Sequence, residues 1–292
     1  MDPFHTLRRR RRVRDVLKTA FGITLTVIVC GLLITVGLAR AGVIDLPVGD
    51  GGSDSAGPSD EASGPSSPFD GTPAAEFGTF AELKFPKAKA TKRFGKNTVA
   101  DALDTVRDMI EAGRVDWPSK PQKPAAFAKR FAPSQRDDIA EILGGSERLA
   151  YVSAILDGRS LVAEPRVTGS ISVKEKLTAN TVRVLEIRTN LVWAYGFDGP
   201  LLAPGDNLLV LNTQQVWQFG REGEVRPEDE GLWPADTGYF AQNIECGHFD
   251  DGFLSAYRAD PAQYGEGTPS GDDPDAAFDP ELDLSKVGDD CH

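Results

Sequence analysis

The feature that most constrains this chain is an uninterrupted apolar run from Thr19 to Ala39, TAFGITLTVIVCGLLITVGLA, with Lys18 before it, Arg40 after it and no charge inside. At about 1.5 Å per residue such a run makes a helix of roughly 30 Å, the thickness of a bilayer's hydrocarbon core. The expectation is a transmembrane helix over 19–39. Arg8 to Arg12, Arg14 and Lys18 crowd the N-terminal flank, whereas the residues just after Arg40 carry almost no positive charge. Basic flanks stay on the cytoplasmic side. The predicted topology therefore has a basic cytoplasmic segment, 1–18, and everything past about Ala41 outside. A competing reading is a signal peptide cleaved after Ala41, because Ala39-Arg40-Ala41 offers a small-residue exit. The apolar run is longer than the roughly 7–15 residues such a signal needs.

The net charge of −12 sums a basic start and a far more acidic remainder. An acidic outer part repels nucleic acid and anionic bilayer surfaces, so neither is expected as a partner of that part. From Pro47 to Thr72 the chain is nearly all Gly, Ser, Pro and Asp. It lacks the apolar surface needed to offset the entropy of ordering it, and 40–76 reads as a flexible linker. Past Arg258 the composition is again Asp-, Gly- and Pro-rich, so 259–292 reads as a disordered acidic tail. Between them, 77–258 is the expected extracytoplasmic domain.

Within that domain the period of the apolar residues changes once. Val99, Leu103, Val106 and Ile110 recur at helical spacing behind an N-cap candidate, Asn97, with Gly113 as the stop. Shorter helices are expected over Ala125–Phe131 and, capped by Ser134, through Leu143. Beyond Gly145 the pattern is strand-like, over Tyr151–Leu156, Leu161–Ile171, Val182–Tyr195 and Leu208–Phe219, with a possible edge strand at Tyr239–Ala241. In the third stretch Leu185, Ile187, Leu191, Trp193 and Tyr195 alternate with Glu186, Arg188 and Asn190. Strict alternation marks a sheet covered on one side. Helices first and a strand meander second give an α+β class, with helices packed on a curved antiparallel sheet.

No catalytic or cofactor motif stands out. Histidine occurs only at positions 5, 248 and 292, so a His-dependent nucleophile would have to use one of the last two. Cys246-Gly247-His248 with Cys291-His292 lacks the usual zinc-ligand spacing, and no metal or cofactor is expected. Of the three cysteines, Cys30 falls in the apolar run, leaving Cys246 and Cys291 as a disulfide candidate on an oxidising side. Trp193, Tyr195 and Trp217 are candidates for lining a pocket at the mouth of the sheet.

The arginine run before the span, the segment Ala132-Pro133-Ser134-Gln135-Arg136, the strand LEIRTNLVWAYGF over Leu185–Phe197, Gly231-Leu232-Trp233, and Cys246-Gly247-His248-Phe249-Asp250 together resemble uncharacterised single-span membrane proteins of high-GC actinobacteria. Helices followed by a curved sheet are similar to the nuclear-transport-factor-2-like cone fold, which hosts both enzymes and non-catalytic envelope modules. What the resemblance implies is a cell-membrane protein with its C-terminal domain outside. The expected function is non-catalytic binding or scaffolding, with the bilayer (through 19–39) and an envelope protein or cell-wall component as partners. Two alternatives stay open: an anchored enzyme or small-ligand binder using an aromatic cone pocket, and a secreted domain released after Ala41.

Overall fold

The computed structural model describes residues 65–178, 181–220, 223–256 and 275–284. The apolar run 19–39 and its basic flank lie outside these residues, and among those described no helix is long and apolar enough to cross a membrane.

The first long element is helix α1 (Lys96–Ile110), which starts after Gly95 rather than at Asn97. Its buried side chains are Val99, Leu103, Val106 and Ile110, as their spacing predicts, with Ala102 and Met109 beside them. Gly113 does not end the helix. The helix instead widens into a π-helical turn, Glu111–Asp116. A Cβ on Gly113 would stand 2.3 Å from the Tyr151 carbonyl oxygen. Its own carbonyl accepts the Ser153 N–H at 2.8 Å. The glycine is needed for close approach of two backbones rather than for termination. Two short helices follow, α2 (Pro124–Ala128) and α3 (Arg136–Gly144). Ser134, expected as a cap, lies in a 3₁₀ turn ahead of α3 and its hydroxyl donates to Asp229 Oδ1 at 2.7 Å.

Four strands then run in sequence order as an antiparallel meander: β1 (Arg166–Leu177), β2 (Arg183–Gly196), β3 (Leu208–Gly220) and β4 (Leu232–Gln242). Helix α4 (Cys246–Asp250) follows. The expected strand at 151–156 is absent as such, and Ile155 makes only an isolated bridge to Leu254. In β2 the alternation holds: Leu185, Ile187, Leu191, Trp193 and Tyr195 are buried against the helices in one core. The domain is mixed α+β, a four-stranded antiparallel sheet with helices over one face.

The other face is also covered at one end. Phe69 packs with Ala194 and Leu208, and Ala277 with Val192 and Val210. Phe278 meets Phe77 edge-on at 6.1 Å between centroids. The Asn212 side-chain amide donates to Ala277 O, and that of Gln214 donates to Leu282 O at 2.6 Å. Two expected boundaries are thereby corrected. The folded part reaches back into the expected linker 40–76, at least to Phe69, and residues 275–284 of the expected tail are packed. The physical reason is local: Phe69 and Ala277 are buried with Phe278 half-buried beside them, and the Asp70 carboxylate accepts the backbone N–H groups of Ser66 and Ser67 at 2.9 Å.

Candidate functional site

The helix-covered face of the sheet is where the cone resemblance places a pocket, and the three aromatic candidates all point there. Trp193, Tyr195 and Trp217 are each 0% exposed. They do not converge on one lining. Trp193 stacks on Phe80 and on Tyr195, at 5.9 and 6.5 Å between centroids. Its indole N–H meets no acceptor among the described residues, so packing alone holds the ring. Trp217 belongs to another group of rings, tilted against Phe131 at 6.4 Å and Tyr151 at 6.2 Å.

Near the Tyr195 hydroxyl the chain places a buried cation. Arg114, in the π-helical turn, is 2% exposed. It donates to Leu149 O at 2.9 Å, Ala150 O at 3.1 Å and Ser153 Oγ at 3.3 Å. Tyr195 and Ser153 share a hydrogen bond of 2.6 Å between their hydroxyls. Gln215 adds a second donor to Ala150 O, at 2.6 Å. Arg114 makes no ion pair among the described residues. Burial lowers its pKa, partly offset by the neighbouring Tyr195 and Tyr239 hydroxyls. Burial likewise pushes the Tyr195 hydroxyl up to about 12, against the opposing pull of Arg114 and the Ser153 hydrogen bond. Tyr195 is therefore a protonated hydroxyl near neutrality rather than a general base. The guanidinium fork is spent on backbone carbonyls and a hydroxyl of the chain itself, so the group acts as a staple holding residues 149–153 to α1's extension.

Sequence reasoning passed over Arg114, although a signal exists. It follows Ile110 by four residues and so continues the buried stripe of α1. A charged residue in register with an apolar stripe is either an interruption or a buried group with dedicated acceptors. Here it is the second.

An open cavity of about 410 Å³ lies elsewhere, lined by Thr105, Asp108, Glu111, Ala112, Asp116 and Arg130. None of the three aromatic candidates borders it. Among the described residues no group of three His, Cys, Asp or Glu side chains is placed to hold a metal ion. Cys246 is disulfide-bonded, and Cys291, its expected partner, lies outside the described residues. Next to it the Glu245 carboxylate accepts the backbone N–H of His248 at 2.9 Å and caps α4. No protein-family model, no curated protein and no solved structure matches this chain.

Proposed function

We propose that this chain is a single-pass, membrane-anchored extracytoplasmic protein whose folded domain is a non-catalytic binding or scaffolding module of the cell envelope. The observation that carries the non-catalytic part is the closed helix-covered face: Trp193, Tyr195 and Trp217 are fully buried, and Arg114 is engaged by carbonyls of its own chain. A catalytic cone needs an open mouth with a titratable pair inside, and the buried groups here are a satisfied guanidinium and a phenol of raised pKa. What remains for recognition is the outer surface. The anchor rests on the 19–39 run and its arginine flank, and the disulfide at Cys246 is in keeping with an oxidising compartment. The arrangement of helices on a four-stranded meander is in keeping with a cone-like module of the kind found in single-span actinobacterial envelope proteins.

Photo-crosslinking residues placed at exposed positions of β1 and β2, such as Ser172 and Arg188, test this in intact cells. The expected result is a discrete adduct with an envelope protein or wall fragment. Recovery of the unmodified chain alone from every position would overturn it.

A further inference from the structure

The sheet face opposite the helices is covered at one end by Phe69, Phe77 and residues 275–284, and among the described residues these coverings are confined to that end. On the other half the strand register sets Lys174 opposite Glu186 and Ser172 opposite Arg188, while Glu186 faces Gln218 on the next strand. The alternation of β2 sends Glu186 and Arg188 to this face, away from the core. Lys176 Nζ lies 2.8 Å from Glu186 Oε2, Arg188 Nε 2.8 Å from Oε1 and Lys174 Nζ 3.5 Å from Oε1. The Gln218 amide also donates to Oε2, at 3.2 Å.

The carboxylate is wholly covered, whereas the side chains of Lys174, Lys176 and Arg188 are 58%, 42% and 46% exposed. Three cations thus share one carboxylate, and among the described residues none of them pairs with another. Two positive charges are left over at one point of a chain whose net charge is −12. Among the described residues Arg188 donates to Glu186 through Nε alone, so its two terminal amino groups are left as donors. Beside them, on the same face, Ser170 and Ser172 are exposed and Asn190 half-buried. Gathered cations with surplus donors and, among the described residues, no second carboxylate within ion-pair distance match a tetrahedral oxyanion.

We propose that Lys174, Lys176 and Arg188 form a binding subsite for phosphate groups carried on a flexible anionic polymer of the envelope. A bilayer surface is the poorer fit, because the acidic body of the protein would be repelled across a broad anionic plane while a single flexible strand can reach one cationic point. The polymer as source rests on the envelope reading; the affinity of the cluster for phosphate does not.

The test uses the full chain in an uncharged detergent, with poly(glycerol phosphate) as the probe, inorganic phosphate as competitor and phosphatidylglycerol vesicles as a second arm. The expected result is salt-sensitive binding of the polymer that inorganic phosphate displaces better than chloride at equal ionic strength. K174Q/K176Q keeps Arg188 on Glu186 and weakens binding about tenfold. E186Q raises the local charge and tightens it, whereas a purely structural cluster would show only a loss of stability. K174Q/K176Q binding the polymer as the parent does, or no binding by the parent, overturns the proposal. So does vesicle binding without polymer binding. Polymer binding by a chain found in the cytosol would retain the subsite and remove the envelope reading instead.

Discussion

Replacing Glu186 with glutamine removes the carboxylate that Lys174, Lys176 and Arg188 share, and its effect can be worked from the geometry. Burial by itself would raise the Glu186 pKa, but hydrogen bonds from Lys176, Arg188 and Gln218, together with the Arg188 charge, lower it from 4.5 to about 2. A folded-state pKa below the unfolded one means that the ionised carboxylate contributes stability above the unfolded value. That contribution fades as pH falls from about 4.5 toward 2. The full shift sets a ceiling of roughly 3.5 kcal/mol, at about 1.4 kcal/mol per unit. The three partners are about half exposed, so solvent screening reduces the expected figure to about 1–2 kcal/mol. Urea titrations followed by tryptophan fluorescence, which reports the buried Trp193 and Trp217, measure it in both proteins. E186Q should be less stable by about 1–2 kcal/mol at pH 7. The gap should close as pH drops below 4 and narrow in high salt. Asp70, Glu82 and Glu175, whose pKa values are also lowered, are common to both proteins and cancel in the difference. A gap that does not vary with pH, or no gap at pH 7, would refute the reasoning.

Three further perturbations probe the packing and the crosslink. G113A drives a methyl to within 2.3 Å of Tyr151 O and should cost about 2 kcal/mol or more in urea melts, whereas a neutral outcome would mean the π-helical turn is free to shift. R114A should cost about 3 kcal/mol or more by orphaning Leu149 O and leaving a cavity, with R114M recovering part of the loss. An R114A chain as stable as the parent would show that the guanidinium is no staple. Non-reducing peptide mapping should recover Cys246 joined to Cys291, and C246S should lower stability by up to about 4 kcal/mol, the chain-entropy value for a loop of that length. Recovery of Cys246 as a free thiol would contradict both.

The parts legible in the sequence are those fixed by periodicity. The α1 stripe and the alternation of β2 each repeat several times, so they survive the noise of single positions. Isolated events were not legible. Phe69 and Phe278 are single rings inside polar stretches, and their burial depends on open strips at Ala194–Leu208 and Val192–Val210 that exist only once the sheet is formed. Trp193, Tyr195 and Trp217 carried the right facing but not the filling, because what closes the face is Phe80, Phe131, Tyr151 and Arg114, all contributed from outside the sheet. The outer cation cluster was half visible: alternation placed Glu186 and Arg188 together, but Lys174 and Lys176 join them only through the β1–β2 register.

The central claim is an outward-facing domain on a membrane anchor, and protease protection tests it most directly. With a C-terminal tag on the full chain and protease added to cells stripped of their wall, the account predicts loss of the tag and digestion of the domain, while a short N-terminal fragment containing residues 1–39 stays with the membrane. A tag that survives until the cells are lysed, or an intact chain recovered in the soluble cytosolic fraction, would contradict it.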